Sequence, residues 1–419
     1  MIKQRTTVYK VCVVTSVPAA REPRAPKHVV ATLAALPDAE VYFIDMAGVD
    51  ENLNDPPDLL GHGRLHRLTL RVPTRKGSPI GWAYQNMQVL IASWLFSMIN
   101  RIMPAVLGTR AVGLASVLSR IKADLYIAHN VETLLPAAMA ASANRAKLIF
   151  DCMEFYSDMG DSQSAKASAA TARIETTVLP CCDLVLATSE SLADALTVTY
   201  KIVKPLVLQN VSPITPMLPA KPARQGLRLY WRNSVIGFGQ RGLDDALVAL
   251  TLLPNDVVLS LQGRLPLDKG CALRARIFEL GLVDRVSILP PYAPGQAVAA
   301  AAPHDCGLCL ERRGPANHEY TTSNKLFDYM MAGLAVIVPD LDGLARAVKC
   351  SAGGLIYQAG SPKSLAENVL VLYRDPSLLT QLAMASRAYA MQYGNAEHEM
   401  KKFKQALQAC VDAASNNAC

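Results

Sequence analysis

The chain has 419 residues, of which 51% are hydrophobic and 18% are charged, and its formal net charge is +7. This length is too great for one ordinary domain, and the composition is too apolar for a disordered protein. The mildly basic balance fits a phosphate-bearing substrate or an anionic membrane surface, and it does not require nucleic acid as a partner.

The chain begins with a polar segment that leads directly into a strand-like stretch, Val11–Thr15, and this does not fit a secretory signal. The ten cysteines are scattered, and several lie inside apolar runs, as buried thiols do in a reducing cytoplasm. Cys306 and Cys309 form a CxxC pair, but a strand would point them to opposite faces, and no second pair follows at metal-ligand spacing. We therefore expect a cytoplasmic protein that binds no metal.

Short apolar runs recur along the chain, and each is followed by a helical stretch. They are continuous rather than alternating, which is typical of parallel strands covered by helices on both faces. The predicted strands of the first half are Val8–Thr15, Val41–Asp45, Leu68–Val72, Asp124–Ala128, Lys147–Asp151 and Asp183–Thr188. Those of the second half are Leu227–Trp231, Val257–Leu261, Val286–Leu289, Cys306–Leu310, Ala335–Pro339 and Gly354–Tyr357. Two such series predict two Rossmann-like, doubly wound α/β domains.

A proline-rich stretch separates the two series and is the most linker-like part of the chain. Its prolines are Pro205, Pro213, Pro216, Pro219 and Pro222. We predict an N-terminal domain over 1–212, a linker over 213–226 and a C-terminal domain over 227–394. A C-terminal helix over 395–419 is expected to pack back on the N-terminal domain.

Residues 77–100 contain no charged side chain and are rich in aromatic and large aliphatic residues. One apolar stripe follows a helical period and is formed by Met87, Leu90, Ile91, Trp94, Leu95 and Met98. Three interpretations stay open: a core helix of the first domain, an interfacial helix on a membrane between basic flanks, or a membrane-spanning helix. Interruptions such as Gln85 and Asn86 disfavour the last of these.

The first of two phosphate-binding candidates lies between the strand that ends at Trp231 and the helix that follows. It contains Gly237, Gly239, Arg241 and Gly242. Glycines allow close approach of the backbone to a ligand, and amides at a helix N-terminus can receive phosphate oxygens. The same segment also fits a turn with structural glycines.

The second candidate, 317–338, predicts a short helix with an apolar face followed by a buried strand. Tyr320–Lys325 and Asp328 would lie at the carboxyl edge of the sheet, where open α/β folds bind ligands. Asp328 is unusual in an otherwise apolar helix. A structural alternative is an ion pair with Lys325, three positions earlier.

In the first half, polar residues follow two of the predicted strands. His129 and Asn130 come directly after one strand, and Glu132 opens the next helix; Glu154 and Asp158 follow another strand. A histidine at the carboxyl end of a parallel strand is well placed for a binding or catalytic role.

Four segments together resemble the large retaining glycosyltransferase family 4, which has the GT-B fold. They are Ala128–Asn130, Leu148–Asp158, Asp183–Leu192 and Ser323–Val336. The last is similar to the family's N-K-L-F-E-Y-x-A-A-G-x-P-V signature, and the resemblance covers nearly the whole chain. It implies two domains that face a cleft, with a nucleotide-sugar donor bound mainly by the second domain and the acceptor by the first.

The resemblance also implies roles for individual residues. By position, the donor site is formed by Gly237, Gly239, Arg241, Arg264, Asn324, Lys325 and Asp328. Arg241, with Lys325 or Arg264 as the second cation, would stabilise charge on the diphosphate leaving group without a metal. Asp328 stands where the family holds the nucleotide ribose, and His129 would contact the donor sugar or the acceptor near the reacting carbon. His129, Arg241 and Lys325 are therefore the expected catalytic residues.

Two departures from the family pattern bear on catalysis. The family's E-x7-E motif has its second acid at Asp328, but Tyr320 stands eight positions earlier, with Glu319 beside it. The glycine pair that usually follows the first strand is also missing. Donor binding is thus better supported than the rate of sugar transfer.

The sequence predicts a glycosyltransferase that moves a sugar, with retention, from a UDP- or GDP-sugar to a glycan or lipid-linked acceptor in polysaccharide or glycoconjugate biosynthesis. We expect no cofactor, no nucleic-acid partner, and contact with the inner face of a membrane through residues 80–100. The alternatives are a nucleotide-sugar 2-epimerase of the same fold and a catalytically inactive binding protein. A dinucleotide-dependent oxidoreductase is disfavoured, because no G-x-G-x-x-G follows the first strand.

Overall fold

The computed structural model describes residues 8–22, 24–48, 59–160, 163–218, 226–238, 242–293 and 295–416. The chain forms two compact units: the first runs to Leu208 and resumes at Met400, and the second comprises Gln209–Glu399. Each unit is built around one parallel sheet with helices between its strands. The predicted pair of α/β domains is confirmed.

The sheet of the first unit has seven strands in the order β3-β2-β1-β4-β5-β6-β7. They are β1 (Lys10–Thr15), β2 (Glu40–Ala47), β3 (Leu65–Arg71), β4 (Leu125–His129), β5 (Lys147–Cys152), β6 (Leu184–Ala187) and β7 (Leu206–Val207). The sequence predicted six of them. It missed β7, a two-residue edge strand that directly follows Pro205, because the apolar run there is only three residues long and lies in a proline-rich segment.

The helices of the first unit surround this sheet. They are α1 (Arg24–Ala35), α2 (Pro79–Ile99), α3 (Thr109–Leu118), α4 (Val131–Asn144), α5 (Ala165–Val178) and α6 (Glu190–Tyr200), with 3-10 turns at Pro104–Leu107 and Leu179–Cys181. The chain leaves β1 towards β2 on one side, and β4 pairs with β1 on the other. The direction of winding therefore changes between β1 and β4, which is where doubly wound folds open a crevice.

The sheet of the second unit has six strands in the order β10-β9-β8-β11-β12-β13. They are β8 (Leu227–Val235), β9 (Val257–Arg264), β10 (Val286–Leu289), β11 (Cys306–Leu308), β12 (Ala335–Pro339) and β13 (Gly354–Tyr357). The helices are α7 (Leu243–Thr251), α8 (Leu267–Glu279), α9 (Ala297–Ala301), α10 (Ala316–Tyr320), α11 (Asn324–Met331), α12 (Asp342–Ser351), α13 (Pro362–Arg374), α14 (Pro376–Gln392) and α15 (Ala396–Asn416).

Apolar side chains fill both faces of the second sheet, as expected for strands covered on both sides. Trp231 packs in the cluster on one face, and its neighbour Tyr230 packs in the cluster on the other. Cys306 and Cys309 are likewise divided between the two clusters. The alternation of side chains along a strand explains both divisions.

The change from one unit to the next lies between Leu208 and Gln209, a few residues before the linker predicted at 213–226. Val211 is buried in the second unit, where Ile214 and Leu218 also pack. Residues 219–225 of the predicted linker lie outside the described part of the chain. From Met400 onwards α15 belongs to the first unit, and its Phe403 and Leu407 are fully buried in that core.

Helix α2 lies at the surface of the first unit, and Ala92 is its only buried residue. The interpretation of this segment as a core helix is therefore wrong. Among the described residues, no helix has both the length and the apolar character that crossing a bilayer requires.

Candidate functional site

Polar side chains meet at the carboxyl ends of the central strands of the first unit. Thr15, His129 and Asp151 lie opposite one another across β1, β4 and β5. The Thr15 hydroxyl donates to Asn130 Oδ1 at 2.9 Å, which ties the end of β1 to the start of α4. This is the edge at which the sequence placed His129.

A buried charged cluster extends from this edge towards α1. His129 Nδ1 lies 3.0 Å from Asp151 Oδ2, and Arg24 Nε and Nη2 donate to the two carboxylate oxygens at 2.5 and 2.9 Å. Burial alone would raise the pKa of Asp151, but the Arg24 guanidinium and the hydrogen bond from His129 hold it well below the ordinary carboxyl range. His28 stacks on Phe403 with ring centroids 4.1 Å apart. Burial lowers the pKa of His28 well below its usual value.

His28, His129 and Asp151 could in principle hold a metal ion, because their ligand atoms lie within 4.8 Å of one another. Arg24 already donates to both oxygens of Asp151, and its fixed charge would repel a cation at that point. The donor set therefore suits an internal ion pair better than a metal. That the protein works without a metal stays a prediction.

The predicted contact of His129 with sugar or acceptor also stays a prediction. The imidazole is fully buried, and its Nε2 has no hydrogen-bond partner within the described residues.

In the second unit, Asp328 of α11 is 4% exposed and joins three segments of the chain. Its Oδ1 accepts from the Ser212 hydroxyl at 2.5 Å, and its Oδ2 pairs with the guanidinium of Arg232 on β8. Burial alone would lower the pKa of Arg232, but the Asp328 carboxylate outweighs this and raises it. The ring of Tyr292 lies 5.7 Å from that guanidinium, which adds a cation–π contact.

Lys325 of α11 forms a second buried pair. Its Nζ lies 2.6 Å from Glu311 Oε1, and both side chains are 5% exposed. The same Nζ is 5.8 Å from the ring of Trp231. Within the described residues Lys325 pairs with Glu311 and Asp328 pairs with Arg232, so the alternative of an ion pair between Lys325 and Asp328 is wrong. Contact of Lys325 with a diphosphate stays a prediction.

The loop after β8 begins at Ile236, whose N–H donates to the carbonyl of Arg264 at 2.9 Å. This bond brings Arg264 beside the predicted glycine-rich segment, with its side chain exposed. Gly237 is part of the loop, whereas Gly239 and Arg241 lie outside the described residues. The remaining predicted donor residue, Asn324, is exposed at the start of α11.

Gly242 is a structural glycine at the start of α7. Its φ is +62°, and a Cβ there would lie 2.0 Å from the carbonyl oxygen of Leu310. A side chain is thus excluded on both counts. The interpretation of Gly242 as a structural turn glycine therefore accounts for its positive φ and its close contact with Leu310.

Two acids in the first turn of α7 would oppose an anion if they were unpaired. Asp245 accepts from Arg312 at 2.5 and 2.7 Å, and Asp244 accepts from Arg276 at 2.9 Å. The charge that these acids bring to the helix N-terminus is therefore offset locally.

The sequence did not single out several residues that hold these clusters together. Arg232, Glu311 and Asp151 each lie at the end of a predicted buried strand or directly after it, so the signal that found His129 would have found them too. Arg24 and His28 carry no such signal, because their partners come from β5 and β4, more than one hundred residues later.

No family model and no curated protein sequence matches the chain. Solved structures match it along nearly its whole length. Sucrose-phosphate synthase from Thermosynechococcus elongatus has a TM-score of 0.72 at 14% identity, over 97% of this chain and 100% of that one. HepE from Anabaena, in complex with UDP and glucose, has a TM-score of 0.67 at 15% identity, over 96% and 100%. WaaG, a glycosyltransferase involved in lipopolysaccharide biosynthesis, has a TM-score of 0.60 at 13% identity, over 94% and 98%.

At this level of sequence identity the matches establish the fold of the chain and not its reaction. The two parallel-sheet α/β units, with seven and six strands, match these glycosyltransferase structures, and the chain therefore has the GT-B fold.

Proposed function

We propose that the protein is a glycosyltransferase that transfers a sugar, with retention, from a UDP- or GDP-sugar to a glycan or lipid-linked acceptor. The observation that carries this proposal is the charged cluster of the second unit, in which Arg232 holds Asp328 and Glu311 holds Lys325. The cluster lies where α11 meets β8 and β11, towards the edge at which open α/β folds bind nucleotides.

The chemistry of this edge suits a nucleoside diphosphate. A carboxylate has about four lone-pair sites, so Asp328 retains acceptor capacity for ribose hydroxyls after it accepts from Ser212 and Arg232. Arg241 and Lys325 are proposed to meet the diphosphate, where fixed cations stabilise the charge of the leaving group. Arg232 acts in this proposal as a positioning residue, because it fixes the Asp328 carboxylate.

The comparisons support a uridine nucleotide, because HepE, which shares the fold, binds UDP and glucose. The signature-like segment 323–336 supports membership of retaining family 4. The same proposal includes a role in polysaccharide or glycoconjugate biosynthesis and a peripheral position on the inner face of a membrane. The acceptor is proposed to bind the first unit near His129.

Nucleotide binding is the first test. Thermal unfolding of the protein should shift upwards with UDP or GDP, and more with the matching nucleotide sugar, while ADP should leave it unchanged. Arg241→Gln should abolish the shift without changing the unfolding temperature of the free protein. Arg374→Gln, an exposed arginine of α13, is the matched control and should behave as the wild type. If no nucleotide stabilises the protein, the donor-site proposal is wrong.

Transfer is the second test. Addition of an acceptor should accelerate release of the free nucleoside diphosphate from the matching nucleotide sugar. A 2-epimerase would instead interconvert nucleotide sugars without responding to acceptors, and an inactive binding protein would do neither.

A further inference from the structure

We infer that helix α2 is a membrane-binding element that lies flat on an anionic lipid bilayer. The outward face of this helix is a continuous apolar stripe. Its members recur at intervals of three and four residues and are Ile80, Tyr84, Met87, Ile91, Trp94 and Met98. Their exposed fractions run from 47% for Ile91 to 85% for Ile80. Exposed patches of this extent mark protein or membrane contacts.

The inward face of α2 is mixed, because the partly buried apolar residues Val89 and Phe96 lie there beside polar ones. Ala92 is buried there, and Gln85 and Gln88 direct buried amide oxygens towards the rest of the unit. An ordinary surface helix buries its apolar side and exposes its polar side. In α2 the exposed side is apolar as well, so the apolar stripe requires an apolar environment outside the first unit.

The charges around α2 identify that environment. Residues 59–123 contain no Asp or Glu and nine basic residues, which are Arg64, Arg67, Arg71, Arg75, Lys76, Arg101, Arg110, Arg120 and Lys122. Arg75 and Lys76 precede the helix, Arg101 follows it, and all three are exposed. Basic residues at both ends hold a helix of about 31 Å parallel to a negatively charged surface.

The same charges argue against a second copy of this chain as the occupant. A self-complementary contact through α2 would bring one acid-free basic segment against another, and like charges would oppose it. An anionic membrane surface provides the complementary charge together with an apolar layer at the depth of the stripe.

A cavity beside α2 favours lipid over a flat protein surface. It has a volume of about 580 Å³ and a mainly apolar lining that includes Tyr84, Ile91, Met103, Val112 and Met139. This volume is typical of sites for small apolar ligands. Tyr84 and Ile91 belong to the outward stripe, so the apolar surface continues into the unit, where a hydrocarbon chain has room to enter.

The tryptophans provide a direct assay. Two of the three, Trp82 and Trp94, are exposed on α2, and the third, Trp231, is fully buried in the second unit. Vesicles of phosphatidylcholine with phosphatidylglycerol should shift the tryptophan emission to shorter wavelength and should sediment the protein. Vesicles of phosphatidylcholine alone should have little effect, and high salt should weaken the binding.

Matched variants locate the contact on α2. Met87→Ser with Ile91→Ser should lower vesicle partitioning about 100-fold, since each buried apolar side chain contributes on the order of tenfold. Leu267→Ser with Phe278→Ser, two exposed apolar residues of the second unit, should leave partitioning unchanged. Arg75→Gln with Lys76→Gln should lower partitioning to anionic vesicles about 25-fold, whereas Lys166→Gln with Lys349→Gln should not.

These measurements need no sugar donor, so their outcome is independent of the proposed transfer reaction. The inference is overturned if the protein does not bind anionic vesicles, or if the Met87→Ser, Ile91→Ser variant binds them as well as the wild type does. It is also overturned if sedimentation equilibrium shows a dimer that the Met87→Ser, Ile91→Ser variant converts to monomer, because the stripe would then be covered by a second copy. Thermal unfolding of each variant confirms that the fold is retained.

Discussion

Arg24 and Asp151 form a bidentate ion pair in which the two side chains are only 1% and 0% exposed. Arg24 also donates from Nη1 to the carbonyl of Leu208 at 2.8 Å. One guanidinium thus connects the start of α1, the end of β5 and the last residue of the first unit before the chain leaves it. The three hydrogen bonds that this buried guanidinium donates hold the three segments together.

Replacement of Asp151 by Asn should destabilise the protein by about 3–5 kcal/mol, because it leaves the Arg24 charge buried without a counter-charge. The free energy of unfolding in urea measures this effect. Asp194→Asn is the control: Asp194 pairs with Lys204 at the surface of the same unit, and its replacement should leave the urea midpoint unchanged. Equal midpoints for Asp151→Asn and the wild type would show that the buried pair does not stabilise the fold.

Glu175 of α5 should make stability depend on pH near neutrality. Burial raises its pKa to about 7, although Tyr200 donates a hydrogen bond to it at 2.6 Å. Between the ordinary carboxyl value and this one, the folded state binds more protons than the unfolded state. Stability therefore declines as the pH rises through this window and is lowest above it.

The variant Glu175→Gln keeps an acceptor for Tyr200 and removes the charge. It should raise the free energy of unfolding by about 3 kcal/mol at about pH 8 and leave it unchanged at about pH 4. Unfolding in urea across this pH range is the measurement. Glu190→Gln, an exposed residue of α6, should retain the pH dependence of the wild type. A wild-type pH profile for Glu175→Gln would mean that another group titrates.

Most of the fold was predictable because its signals are local. A strand such as Ala335–Pro339 is buried at every position, so its apolar run is continuous and predicts a strand without knowledge of its neighbours. The position of His129 was predictable for the same reason, since it ends a strand of this kind. The edge strand β7 has only two residues, and its apolar run is too short to predict a strand.

The pairing inside the site was not predictable, because it depends on contacts between distant segments. Lys325 and Asp328 are three positions apart on one helix, a spacing that suggests mutual pairing. In the structure the two side chains form ion pairs with other segments instead. Asp328 pairs with Arg232, 96 residues earlier in sequence, and Lys325 pairs with Glu311. The apolar stripe of α2 was likewise visible in the sequence, but its period does not reveal which side faces the core.

Lys325 can be tested for a role beyond its structural pair. Lys325→Met alone should destabilise the protein by about 3–5 kcal/mol, because it leaves Glu311 charged and buried. The double variant Lys325→Met, Glu311→Gln should recover much of this loss, since neither partner is then charged. If Lys325 contacts the donor diphosphate, the double variant should still bind UDP at least about tenfold more weakly, as measured by calorimetric titration. Wild-type UDP affinity in the recovered fold would restrict Lys325 to a structural role.

Removal of divalent metal should leave donor binding intact. Arg24 already occupies the Asp151 carboxylate in the first unit, and cations of the second unit are proposed to meet the diphosphate. We expect the UDP-induced thermal shift and the acceptor-stimulated release of nucleoside diphosphate to be the same before and after dialysis against EDTA. A loss that added Mg²⁺ or Mn²⁺ restores would contradict the metal-free mechanism.

The two described glycines of the loop after β8 should respond differently to substitution. Gly242→Ala should destabilise the second unit by at least about 2 kcal/mol, because a positive φ and the Leu310 carbonyl both exclude a side chain. A Cβ at Gly237 would meet only the flexible side chain of Lys269, at 3.0 Å, so Gly237→Ala should cost less than about 1 kcal/mol. If Gly237 is where the backbone approaches the donor, its alanine variant should nevertheless weaken UDP binding in the same calorimetric titration. Unchanged UDP affinity in Gly237→Ala would remove this glycine from the donor site.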